Sequence, residues 1–159
     1  MSRRRAREFA LQALYQADMR QISGPDALDM LWATQLESED LTGTPADAEE
    51  IGFAQGLVQG VAKSAEEVDA QIEKASLNWR LSRMPVVDRN ILRLATYELL
   101  RCQDVPASVS INEAVELAKR FGEKESGSFV NGILDRIAQE TGRGGRGKNK
   151  KRRKGRKRS

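Results

Sequence analysis

The sequence predicts an all-α fold, and three observations carry that prediction. Apolar residues recur at i, i+3, i+4 and i+7 along nearly the whole chain, no stretch alternates apolar and polar residues between hairpin signals, and breaker or capping residues interrupt the helical pattern at short intervals. The first helix runs from about Arg3 to Arg20, with Ala6, Phe9, Ala10, Ala13, Leu14 and Ala17 on one stripe. Ser23-Gly24-Pro25 opens a second helix through Leu28, Leu31, Trp32 and Leu36. Thr44 as N-cap and Pro45 in the first turn predict the start of a third, whose inward face is Ile51, Ala54, Leu57, Val58 and Val61. Ser64-Ala65-Glu66-Glu67 reads as a capping box, so a fourth helix passes Val68 and Ile72 and ends near Ser76. Trp79, Leu81 and Met84 then lead irregularly to Pro85.

From Val86 to Cys102 apolar residues cover more than half of the helix circumference, through Val87, Ile91, Leu92, Leu94, Ala95, Leu99 and Leu100, which predicts a central fifth helix. Ser110-Ile111-Asn112-Glu113 reads as another capping box, opening a sixth helix with Ile111, Ala114, Val115, Ala118 and Phe121 inward and Gly122 at its end. A seventh helix from about Ser128 to Gln139 buries Val130, Ile133, Leu134, Ile137 and Ala138. Seven short helices with a break near residue 63 predict two small bundles packed as one domain over residues 1–142, divided into halves of about 1–62 and 63–142.

The 159 residues are enough to bury about two-thirds of the unfolded surface without staples. Histidine is absent and Cys102 is the lone cysteine, which excludes thiolate–imidazole zinc sites, Ser-His-Asp triads and Cys-His dyads built within this chain. No cofactor or metal is implied. A single thiol, the lack of any apolar run near the ~20 residues of a membrane span, and an amphipathic N-terminus predict a soluble cytoplasmic protein.

The formal charge of +4 conceals a sharp division. Residues 143–159 hold 11 of the 27 Lys and Arg and none of the 23 acids, so residues 1–142 carry 16 basic residues and a net charge of −7. The last 17 residues lack large apolar groups and repel one another, which predicts a disordered basic tail. Within the body, residues 21–62 hold eight acids and no Lys or Arg; the acidic stretch from Asp26 to Glu50 either docks a basic protein or keeps the domain soluble.

Arg3, Arg4, Arg5 and Arg7 crowd the opening turns of the first helix, where positive charge opposes the helix dipole, so an external anion is expected to balance them. Tyr15 lies about opposite the apolar stripe, near Arg4, Glu8 and Gln12. An exposed ring beside cations and an amide is what single-stranded RNA recognition uses; the alternative is a solvated charged face with a half-buried tyrosine. Phe129 stands at the edge of its helix stripe, as a peripheral core residue or an exposed stacking platform, and Ser126-Gly127-Ser128 before it forms a candidate phosphate seat. Gly56 and Gly60 have GxxxG spacing, which in a soluble helix allows close packing. Glu113 and Glu116 fall on a polar helix face, without the surroundings of an acid–base pair.

Three blocks, RRRAREFALQALYQ, VVDRNILRLATYELL and VPASVSINEAVELAKRFGEKESGSFVNGILDRIA, resemble the NusB family of bacterial transcription antitermination factors. The resemblance covers about residues 3–140, loosely between 20 and 60 and closely from 85 onward. It implies two three-helix-bundle-like halves and binding of single-stranded boxA RNA of ribosomal RNA leader transcripts together with NusE, a small-subunit ribosomal protein. It further implies assembly with RNA polymerase and other Nus factors, with no enzymatic activity. By motif position it implies RNA contacts by Arg3, Arg4, Arg5, Arg7, Gln12 and Tyr15, a second contact by Ser128 and Phe129, and a NusE-facing region at Asp88. Alternatives are a ribosome-assembly adaptor, or an accessory related to the N-terminal domain of ribosomal RNA cytosine methyltransferases. The basic tail exceeds what the family motif requires, and is expected to supply phosphate attraction without sequence preference.

Overall fold

The computed structural model describes residues 3–37, 45–77 and 79–143. Among them are seven α-helices and one 3-10 turn: α1 Arg3–Arg20, α2 Gly24–Glu37, α3 Ala48–Lys63, α4 Ala65–Ser76, the turn Leu81–Arg83, α5 Val86–Arg101, α6 Ala107–Phe121 and α7 Ser126–Glu140. Helices α1, α2 and α3 pack on one another, α6 packs on α7, and α5 touches α1, α3, α4, α6 and α7. The expected centrality of α5 follows from its buried Ile91, Leu92, Leu94, Ala95 and Leu99. One apolar core runs from Ala10 and Leu14 of α1 through α5 to Ile133, Leu134 and Ile137 of α7. A satellite cluster gathers Ala6, Phe9 and Ala54 under Trp32 and Phe53.

The starts of α3 and α6, and the cap of α4, differ from the sequence reading. Asp47 caps α3, accepting from the Glu50 backbone N–H at 2.8 Å while Glu50 Oε1 accepts from the Asp47 N–H at 3.0 Å. Pro45 therefore precedes the helix, and Thr44 lies outside the described residues. Ser64 joins α3 to α4 with no side-chain cap, so the capping box expected there does not form. α6 begins at Ala107 behind Pro106, three residues before the expected box, and Ser110 turns inward instead. Its stripe is completed by Leu117, while Phe121 is 39% exposed.

Polar ties lock the helices to one another. Arg89 donates to both Asp18 oxygens at 2.7 Å, Asn90 and Arg93 donate to Asp18 Oδ2, and Arg93 continues to Asp69, joining α1, α5 and α4. The Arg89 hydrogen bonds hold the Asp18 carboxyl below its usual range against the opposing effect of burial, with Asn90 and Arg93 adding to the effect. Gly60 lets α3 meet α5: a Cβ there would stand 2.1 Å from the Tyr97 ring, whereas Gly56 faces open space, so one glycine of the pair serves packing.

Candidate nucleic-acid interface

The arginine-rich start of α1 is built into the fold more deeply than its sequence implies. Arg7 is 3% exposed, and its Nε and Nη2 donate to Glu98 at 2.9 and 2.7 Å, while the Ser110 hydroxyl donates to the same carboxylate at 3.0 Å. Burial works against the Arg7 charge, but the Glu98 hydrogen bonds and charge outweigh it and raise the guanidinium pKa above its ordinary value. The expected RNA contact by Arg7 is therefore corrected: its side chain joins α1, α5 and α6 and does not reach the surface. Arg4 pairs with Glu113 of α6 at 2.9 Å yet stays exposed. Arg5 lies 3.7 Å from Glu50 and over the Phe9 ring, and Arg3 sits over the Phe53 ring at 4.7 Å. Internal acids thus meet Arg4, Arg5 and Arg7, where an external anion was expected. Glu113 is engaged as an ion-pair partner, and Glu50, from the acidic stretch, as a cap.

Farther along α1, Gln12 is exposed and Tyr15 half-buried. Both line a largely apolar groove of about 320 Å³ with Glu8, Leu11, Leu31, Val87 and Phe121. Arg120 of α6 pairs with Glu8 at its border. Asp88, expected to face a partner, is 4% exposed, and its Oδ1 has no hydrogen-bond partner. Burial lifts the Asp88 carboxyl above its usual range against a Ser126 hydrogen bond, and the Glu123 charge adds to the rise. Its neighbour Val87, not Asp88, reaches the groove.

At the start of α7, Ser126 and Gly127 are buried, and the Ser126 hydroxyl accepts from the Glu123 N–H at 2.9 Å. The expected phosphate seat is thus occupied by the chain's own hydroxyl. Ser128 is exposed, and Phe129 is half-buried against the core with its ring 6.2 Å from Trp79, in an edge-to-face arrangement. Among the described residues no group of three or more His, Cys, Asp and Glu could hold a metal, and no helix is long and apolar enough to cross a membrane.

A family model described as the NusB family matches residues 4–139. The chain belongs to the NusB family. NusB relatives include the transcription antitermination protein of Anaeromyxobacter dehalogenans (strain 2CP-1 / ATCC BAA-258), 52% identical over 136 residues that cover 86% of this chain and 89% of the relative. That of Myxococcus xanthus (strain DK1622) is 49% identical over 137 residues, covering 86% and 94%. Among solved structures, T. maritima NusB aligns with a TM-score of 0.76 at 40% identity, covering 88% of this chain and 92% of that one. A crystal structure of the antitermination factors NusB and NusE in complex with dsRNA aligns at 0.75 with 27% identity, covering 88% and 99%.

Within this NusB fold, sequence reasoning missed Glu98, Trp79 and the surface position of Phe121. Glu98 carried no local signal, because its partner Arg7 lies 91 positions away. Trp79 did carry one: a tryptophan in a short connection flanked by polar residues, where burial is not guaranteed.

Proposed function

We propose that this chain acts as a transcription antitermination factor that binds RNA together with NusE. The observation that carries the reading is the 49–52% identity to proteins named transcription antitermination protein NusB, sustained over 86% of the chain and so over nearly all of its helical body. Arg3, Arg4 and Arg5 supply cations at one end of α1, Gln12 reads a base edge, and Ser128 with Phe129 forms the second RNA contact. The target is the single-stranded boxA element of ribosomal RNA leader transcripts. The apolar groove edged by Tyr15, Val87 and Phe121 suits a protein surface better than a base and is assigned to NusE, in place of the RNA contact expected of Tyr15. The work is equilibrium assembly on a nascent transcript with RNA polymerase and other Nus factors in the cytoplasm; no covalent step is required.

Residues 143–159 add phosphate attraction, while boxA discrimination stays with the helical body. Titrating a boxA oligonucleotide and a scrambled control, with and without NusE, tests the reading. A boxA preference that strengthens with NusE is expected, and equal affinity for both RNAs in the presence of NusE overturns it. Recovery of RNA polymerase from lysate, lost on nuclease treatment, is the accompanying expectation; recovery of pre-ribosomal particles alone would point to assembly instead.

A further inference from the structure

We propose that Trp79 and Phe129 together form a stacking site for one unpaired RNA base, with Arg136 holding the neighbouring phosphate. The inference rests on the RNA-binding reading above and extends it to two residues outside the NusB-like motif positions already assigned.

Trp79 is 51% exposed, although a tryptophan is the side chain with most to gain from burial. The chain holds it there. Leu77, itself 72% exposed, has φ of 59°, a region a branched side chain seldom occupies. Ser76 Oγ donates to the Trp79 carbonyl, and Glu73 accepts from the Leu81 N–H at 3.0 Å, so the segment is tied on both sides of the indole. The indole is presented edge-to-face with Phe129, at 69° and 6.2 Å, which leaves ring surface open for a third π system.

The adjoining face of α7 suits a nucleotide. Phe129, Gly132 and Arg136 follow at i, i+3 and i+7, on one side of the helix. Apart from its chain neighbours and the helix's own backbone, nothing lies within 4 Å of where a Gly132 side chain would begin, so the backbone is open beside the rings. Arg136 Nε donates to the Ala75 carbonyl at 2.7 Å, which fixes the guanidinium across the α4–α7 junction. Its terminal nitrogens have no protein acceptor among the described residues and remain available to a phosphate. Two rings, a cleared backbone and an anchored cation, continuous with exposed Ser128, supply stacking, space and charge neutralisation to a single unpaired nucleotide. A paired base, already stacked on both faces, gains nothing from such a site.

The test uses full-length protein and a short single-stranded boxA oligonucleotide, with and without NusE. Trp32→Phe leaves Trp79 as the sole tryptophan and removes a buried indole N–H that lacks a partner. RNA is expected to quench the emission of this variant; an unchanged spectrum at saturating RNA overturns the proposal. Trp79→Ala is expected to weaken RNA affinity about tenfold while Trp79→Phe retains most of it. Arg136→Gln is expected to reduce the slope of log affinity against log salt by about one. Helical circular dichroism and thermal unfolding verify the fold of each variant. If Phe129→Ala weakens RNA binding and Trp79→Ala does not, the two-ring site is overturned and the antitermination reading stands. Loss of NusE affinity with RNA affinity intact would make the patch a protein contact, which also overturns it. If the parent protein binds no RNA even with NusE, the underlying reading itself falls.

Discussion

The two ends of α5 handle buried charge in opposite ways. At its C-terminal end Glu98 is saturated, taking two hydrogen bonds from Arg7 and one from Ser110, and Arg143 donates to the Leu99 and Val105 carbonyls at 2.7 Å. At its N-terminal end Asp88 is equally hidden, yet one of its oxygens is unpartnered and its carboxyl is pushed toward the neutral form. Only a few residues along α5, Arg89, Asn90 and Arg93 saturate Asp18 of α1. Burial therefore does not set the energetic role of these carboxylates; the number of donors meeting each one does.

The sharpest way to break this comparison is Arg7→Ala, which leaves Glu98 buried with only the Ser110 hydroxyl. It is expected to cost about 3–5 kcal/mol of folding stability, read by denaturant unfolding; a loss near zero would show that Glu98 is not held as described. Asp18→Asn should cost about 1–3 kcal/mol at neutral pH, because it removes the charge from an acceptor of four hydrogen bonds. The Asp18 pKa is depressed in the fold, so its contribution is full above the unfolded pKa and vanishes as pH falls through the folded one. The deficit of the variant should shrink along the same acidic range in pH-dependent thermal melts.

Asp88→Asn should move the other way. A raised carboxyl pKa means that the native state binds the proton more tightly, so wild-type stability declines as pH rises from the unfolded to the folded pKa of Asp88. The variant is expected to be more stable than wild type at neutral pH by up to about 1 kcal/mol, with the gain disappearing in acid. A Tm equal to or below wild type at neutral pH would mean that the ionised Asp88 has donors beyond Ser126. Smallest in stability is Arg4→Gln, expected to leave thermal unfolding nearly unchanged because the pair with Glu113 is exposed on the arginine side and screened by solvent. Its effect should show in RNA binding, as a salt slope lowered by about one. An unchanged slope would place Arg4 with Arg7 among the structural arginines.

Much of the fold was legible because helix positions and stripes are local properties. Ala6, Phe9, Ala10, Ala13, Leu14 and Ala17 share a face whatever packs on it, and all are buried. The errors cluster where a local pattern had a distant competitor. Ser110 matches a capping box, but Glu98 on α5 takes its hydroxyl, and the helix starts behind Pro106 instead. Arg7 and Arg4 look alike in sequence; one meets a buried acid 91 positions away and the other an acid on the rim 109 positions away. The candidate interface was thus visible as a composition of arginines and aromatics, while the division into structural and available members required the packing of α1 on α5 and α6.

The anchor at Arg143 has a consequence for kinetics. It fastens the last described residue to the end of α5 where Glu98 holds Arg7, and where Arg3 and Arg7 are near enough for their charge to act on Cys102. The 16 residues beyond it carry ten Lys and Arg and can span at most about 55 Å. Their root is therefore a fixed tether point beside the arginine end of α1. If both basic segments contact phosphates as proposed, RNA captured at one would find the other as an intramolecular neighbour at high effective concentration, so that rebinding outpaces escape. The tether should lengthen residence time on RNA more than it alters which RNA is chosen.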